Sequence, residues 1–164
     1  MRNSLMTAFA VLVAILIGAA SETEAQMVRR IQPEKAAIAT AVWHGDTLYV
    51  SGQVPDPVKP ASGGAPAVYA PDTRTQSENV FRKIEGILKE QGLGMGDVVM
   101  MHVYLVGDPN MGGKMDFQGM MAAYTQHFGS ATQPNKPARS TVQVASLVAP
   151  GALVEIEVIA VRPK

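Results

Sequence analysis

The chain has 164 residues with 14 basic against 14 acidic side chains, so it carries no net field to gather nucleic acid or anionic lipid. It has no cysteine, which excludes disulfides, thiolate metal sites and cysteine nucleophiles. With 47% hydrophobic residues it is long enough to bury a real core, and without disulfides the fold must be held by packing.

In chain order, Met1-Arg2-Asn3 supplies one positive charge and residues 5–20 are almost wholly apolar. Small residues follow at Gly18, Ala19 and Ala20 and again at Ala25. This is the pattern of a secretory signal peptide. An uncleaved anchor is the alternative, but the apolar run falls short of the roughly 20 residues a membrane span requires. Cleavage after Ala20 or Ala25 fits, with Ala25 preferred. The reading is therefore a signal peptide over 1–25 and one domain over 26–164, located in the periplasm or outside the cell without stable membrane association. Removing Arg2, Glu22 and Glu24 leaves 13 basic and 12 acidic residues.

Residues 28–38 read as a polar, ragged lead-in. Ala41-Val42-Trp43 and Leu48-Tyr49-Val50 are short strands around a glycine-containing hairpin turn at His44-Gly45-Asp46-Thr47. Ser51-Gly52-Gln53-Val54-Pro55 closes the second strand. Residues 55–71 hold five prolines and Gly63-Gly64, which makes them a long loop. Asp72 is a cap candidate for a first helix whose stripe is Val80, Ile84, Ile87 and Leu88, ended by Gly92. Residues 97–106 form a strand with apolar side chains on both faces, as in a central strand or one buried by a partner subunit. A second helix over 115–128 presents Phe117, Met120, Met121, Tyr124 and Phe128, and Gly129 stops it.

The last quarter holds two strands, 135–144 and 154–161, rich in Val and Ile and separated by a turn containing Pro150-Gly151. Side chains two apart share a face. Arg139, Thr141 and Gln143 thus share one face, and Glu155 and Glu157 share one on the second strand. The alternate positions, Val142, Val144, Ile156 and Val158, are expected core. If the charged face is buried, each charge needs a partner. A structural ion pair or two solvated charges is the ordinary reading of such residues. The whole order of elements predicts an α+β class, one mixed sheet packed under two helices.

Pro137-Ala138-Arg139-Ser140 followed by a hydrophobic strand, the run Glu155-Ile156-Glu157-Val158-Ile159-Ala160, and Ser51-Gly52-Gln53-Val54-Pro55 together resemble the Rid family, the reactive-intermediate imine deaminases also called YjgF-type. The likeness runs from Val42 to Val161. It implies a chorismate-mutase-like fold and a homotrimer with pockets between subunits. It also implies that Arg139 binds a substrate carboxylate, that Glu155 serves the attacking water, and that Ser51 and Gly52 line the pocket. Three positions depart from the family pattern: Ile38-Ala39-Thr40-Ala41-Val42 replaces a run with a pocket tyrosine, Met121 stands for an asparagine, and Thr141 for a frequent cysteine. With Met121 and Thr141 counted as substrate-binding positions, the pocket is more apolar than usual for small 2-imino acids.

The function implied is hydrolysis of reactive 2-imino or enamine acids to 2-oxo acids and ammonia, with no metal or organic cofactor. The rival reading is a non-catalytic trimer that binds a small carboxylate, or a holdase-like module. Both use Arg139, and only the enzyme requires Glu155. His44, His102 and His127 lack the spacing of a helical metal pair, and His102 reads as a hydrogen-bonded core or interface residue. The methionines are packing residues rather than a soft-metal site. Nothing supports the ribonuclease label sometimes attached to that family, since there is neither a basic stripe nor a paired histidine.

Overall fold

A computed structural model describes residues 28–163. The signal peptide expected over 1–25 lies outside the described residues. Six strands form one mixed sheet: β1 (Val28–Ile31), β2 (Ala41–His44), β3 (Thr47–Gln53), β4 (Val98–Val106), β5 (Ala138–Val144) and β6 (Val154–Val161), in the spatial order β1-β2-β3-β6-β4-β5. Two helices, α1 (Thr73–Glu90) and α2 (Phe117–His127), cover one face. The class is α+β, as the order of elements predicts.

Four differences from the sequence reading have physical reasons. The lead-in is not ragged throughout, because Val28–Ile31 pairs antiparallel with β2 as an edge strand. With one arginine on each face, Val28-Arg29-Arg30-Ile31 has no apolar alternation to read, and an exposed edge tolerates both charges; Arg29 reaches Gln91 Oε1 at 3.0 Å. In the last quarter, β5 and β6 are not neighbours. β4 runs between them, antiparallel to β6 and parallel to β5. Val142 is not core but 47% exposed, whereas Ile156 and Val158 are buried as expected. Finally, β4 changes phase at its start. A register shift between Val98 and Met100 turns Val98 inward and leaves Val99 exposed, as a bulge does.

The helices begin and end for local reasons. Asp72 caps α1 by accepting the Thr75 N–H at 2.8 Å, and Asp116 caps α2 through the Gly119 N–H at 2.8 Å. Past α1, Gly92 sits at φ +75°, the left-handed geometry that a side chain would strain. The stripe Val80, Ile84 and Leu88 is fully buried, joined by Phe81. Phe81 meets Tyr124 and Phe128 edge-on at 6.3 and 6.1 Å, and Tyr124 stacks on Phe128 at 4.9 Å. Such aromatic pairs contribute about 0.5–1.5 kcal/mol each beyond their buried area. They lock α2 to α1 and so fix where α2 lies over the sheet edge at β5.

Loops are tied to this frame by buried polar groups. Gln76 is 1% exposed; its Nε2 donates to the Ala70 and Gly151 carbonyls, and its Oε1 accepts the Leu153 N–H at 2.7 Å. Residues 55–71 form the expected loop, with small antiparallel bridges at Lys59–Val68 and Ser62–Ala65. Lys83 anchors its start through the Val54 carbonyl and Asp56, both at 2.8 Å.

Candidate functional site

Arg139 is the second residue of β5, an edge strand, and it pairs with Met101 of β4. Paired residues share a face, so Arg139, Thr141 and Gln143 lie on the same side as Met101, Val103 and Leu105, the side covered by helices. The side chain is half-buried under α2. Its Nη1 donates to Met121 Sδ at 3.2 Å, and its Cζ stands 4.4 Å over the Tyr124 ring and 5.8 Å from the Phe117 ring centre. Among the described residues no carboxylate lies within ion-pair distance of it. Cation–π contact offsets desolvation by about 0.5–2 kcal/mol, and a thioether is a weak acceptor. The guanidinium is therefore held in place without a counter-charge. Burial pushes the Tyr124 phenol above its ordinary pKa, against the pull of this cation.

Two further β5 side chains have structural duties. Gln143 accepts the Met115 N–H at 2.9 Å and donates to the Gly113 carbonyl at 3.0 Å, fixing the approach to α2 and hence Phe117. The Thr141 hydroxyl is sealed from solvent and finds no hydrogen-bond partner among the described residues.

Glu155 faces the other way. In β6 it alternates with the fully buried Val154 and Ile156, and it pairs with Tyr104 across β4, on the face that no helix covers. Its carboxylate lies against Gly52, in the stretch of β3 where the register with β6 shifts. A Cβ at position 52 would collide with Glu155 Oε1 and come within 2.9 Å of its Cδ. Glycine there makes room for the carboxylate. The preceding Ser51 is committed to structure, its Oγ donating to the Ala39 carbonyl at 2.7 Å.

On the same open face, Glu157 Oε1 lies 2.9 Å from His102 Nδ1 and accepts the Tyr104 hydroxyl at 3.3 Å. Burial, reinforced by Glu157 and Glu155, pushes the Tyr104 phenol up. A concavity of about 260 Å³ opens beside this group, lined among others by Val42, Tyr49, Ser51, His102, Glu157 and Ile159. Neither Arg139 nor Glu155 lines it.

The residues singled out from sequence thus fall into two groups. Arg139 and Met121 meet on the helix side, with Thr141 on the same strand face. Gly52 and Glu155 meet on the open side, where Ser51 lines the separate concavity. Within one chain the two charges are separated by β4 and by the sheet itself, so Arg139 and Glu155 do not pair and cannot both touch one small molecule. Sequence reasoning missed Phe117 and Tyr124 as flanks of Arg139. Their i, i+7 spacing with Met121 between marked one apolar helix stripe, which reads as core, and nothing in it announced an arginine from a distant strand. His102 is hydrogen-bonded, as expected.

Comparison with known proteins agrees with this architecture. Residues 28–162 match the family described as Endoribonuclease L-PSP. A RutC family protein of Haemophilus influenzae is 39% identical over 141 residues, covering 83% of this chain and 98% of that protein. The crystal structure of yeast Mmf1 is similar at 29% identity with a TM-score of 0.61, covering 82% of this chain and 94% of that one. A YjgF-family protein of Neisseria meningitidis, 23% identical, shares the fold at a TM-score of 0.63 over 84% of this chain and 96% of its own. The chain belongs to the YjgF/RutC/L-PSP (Rid) family.

Proposed function

We propose that the protein hydrolyses 2-imino acids, or the enamines in equilibrium with them, to 2-oxo acids and ammonia, in sites shared between copies of the chain in a homotrimer. The observation that carries this reading is the half-buried Arg139 on an edge strand with no carboxylate partner among the described residues. A planar fork held by an aromatic face and a weak acceptor is suited to take a carboxylate bidentately. Glu155, beside Gly52 on the opposite face, supplies the second charge from a neighbouring copy. That arrangement accounts for two features at once: the opposed faces of the two residues, and the apolar side chains at Tyr49 and Val142 on the uncovered face.

In this reading Arg139 fixes the carboxylate beside the C=N carbon. Glu155 takes a proton from water as its oxygen bonds to that carbon and passes it to the imine nitrogen, giving a carbinolamine. The hydroxyl proton then moves through Glu155 to the nitrogen as C=O forms and the C–N bond breaks. The products are one 2-oxo acid and one ammonia. Because imines hydrolyse in water unaided, positioning supplies much of the required acceleration.

The test is ammonia release from imines formed in situ by an amino-acid oxidase across a panel of amino acids. Release above the uncatalysed rate is expected, together with a trimeric mass by light scattering. A monomer at micromolar concentration, or no acceleration with any imine, overturns the reading.

A further inference from the structure

We propose that Phe117, Met121 and Tyr124 form a specificity wall that selects 2-imino acids with large apolar side chains, of the leucine, methionine or phenylalanine type, over small or polar ones. This rests on the reading of Arg139 as the carboxylate anchor and deepens it.

Three side chains stand against the guanidinium. Tyr124 occupies one face of the fork at 4.4 Å, and Phe117 lies at 5.8 Å. Met121 Sδ accepts from Nη1 at 3.2 Å. None of the three carries a charge at neutral pH. A carboxylate is a far better acceptor than a thioether, so a bound acid takes over the Nη1 donor and pushes the methionine tip aside. Methionine has three rotatable bonds and moves readily. The displaced thioether stays next to the carboxylate, which is where the rest of the acid must emerge.

Phe117 and Met121 are both only partly buried, packed on the edge of the core, so they present open apolar surface at that place. The next side chain on this face of the strand is Thr141, whose hydroxyl is sealed from solvent. A serine- or aspartate-type side chain therefore gives up water along this wall and receives no partner in exchange. An alanine-type side chain leaves the wall unfilled, whereas a leucine- or phenylalanine-type chain removes apolar surface from water on both sides. One methylene in such a pocket is worth about 10–200-fold in kcat/KM. The second helix thus acts on the substrate at its side chain, while the edge strand holds its carboxylate.

The experiment has two readouts on the intact protein. In the first, kcat/KM is compared for imines generated from leucine, methionine, phenylalanine, alanine and serine. The large apolar group is expected to exceed alanine and serine by about tenfold or more, mainly through KM. In the second, binding of the product-like 4-methyl-2-oxopentanoate and pyruvate is compared by calorimetry, with the branched acid expected to be tighter by a similar factor. Met121→Asn is expected to cut both ratios by about tenfold, with melting temperature as the check that the variant folds. Equal or better use of alanine- and serine-derived imines, or equal affinity for the two oxo acids, overturns the wall while leaving imine hydrolysis in place. Conversely, discrimination between the two oxo acids with no imine hydrolysed sustains the wall and removes the deaminase reading.

Discussion

On the side covered by helices the sheet presents Met101, Val103, Leu105, Ile156 and Val158, none more than 2% exposed, and on the other side Tyr49 and Val142 remain 45% and 47% exposed. Both sides obey the same two-residue alternation, yet they treat charge differently. The covered side holds Arg139 against two aromatic rings and a thioether, as it holds Arg29 and Arg162 over the ring of Trp43. The open side holds two carboxylates, Glu155 and Glu157, with His102 and Tyr104 beside the second. A cation is retained at the edge of a low-dielectric layer because aromatic faces substitute for part of its hydration. Carboxylates have no such substitute among apolar side chains and sit where water or another chain can reach them. Arg139 and the two carboxylates thus lie on opposite sides of the sheet, and the shared site proposed above follows from that opposition.

That comparison is broken or sharpened most strongly by mixing two inactive proteins. Arg139→Ala is expected to weaken carboxylate binding by about 2–5 kcal/mol and to abolish turnover, and Arg139→Lys to restore little, since a point charge cannot reproduce the fork. Glu155→Gln is expected to lower turnover by roughly 10²-fold, the usual range for a lost general base, with affinity within a few fold. If each site draws one charge from each of two copies, co-refolding the Arg139→Ala and Glu155→Gln chains restores activity that neither has alone. Steady-state ammonia release on the mixture decides it. A mixture as inactive as its parents overturns the shared site.

Stability measured on the same variants separates these roles from an ordinary ion pair. Breaking a buried pair costs about 3–5 kcal/mol. Arg139 has no such partner among the described residues, so Arg139→Ala should cost no more than the cation–π contact, about 1–2 kcal/mol. A loss of the larger size in urea melts would mean that a carboxylate does reach Arg139.

Gly52→Ala probes the open side in a subtler way. The added methyl group collides with the Glu155 carboxylate, and because that group ends a flexible side chain it swings away at modest cost in stability. A displacement of about 1 Å is enough to cost up to 10²-fold in rate. We expect turnover to fall at least tenfold while carboxylate affinity, set by Arg139 on the other face, changes little. Unaltered turnover would separate Glu155 from the chemistry.

How much of this was legible in the sequence differs between the two sides. The core stripe of α1, its cap at Asp72 and the strand boundaries of β6 followed from periodicity and capping, because each is decided by neighbours within a turn or two. The alternation within β5 was visible as well. Which phase faces the helices was not, since Arg139-x-Thr141-x-Gln143 is the more polar set and yet is the covered one. That outcome depends on β4 entering between β5 and β6 and on α2 bringing two aromatic rings over the sheet edge. Both are contacts between residues far apart in sequence. The clearance at Gly52 is of the same kind: the resemblance implied a pocket position, but only the fold shows that the group against it is the protein's own Glu155.

The smallest effect we expect lies wholly on the covered side and concerns acid. His127 ends α2 with its ring 5.2 Å from Phe81. Burial lowers its pKa from the ordinary 6.5, outweighing Glu85, which favours the cation; Arg82 adds to the lowering and Glu78 opposes it. The fold therefore prefers neutral imidazole. As pH falls, the unfolded chain takes up the proton first, so the contribution of this group is complete above about 6.5 and is lost as pH drops through the lower folded value. The neighbouring Glu78 carboxyl is held below its ordinary 4.5, chiefly by its hydrogen bond from Arg74, then by Gln126, and its contribution is lost only in more acidic solution. Urea midpoints at pH 7.5 and 5.5 isolate the histidine from it. The parent protein should lose more stability over that interval than His127→Leu, whose side chain has no proton to bind. An equal loss in both would place the acid sensitivity elsewhere.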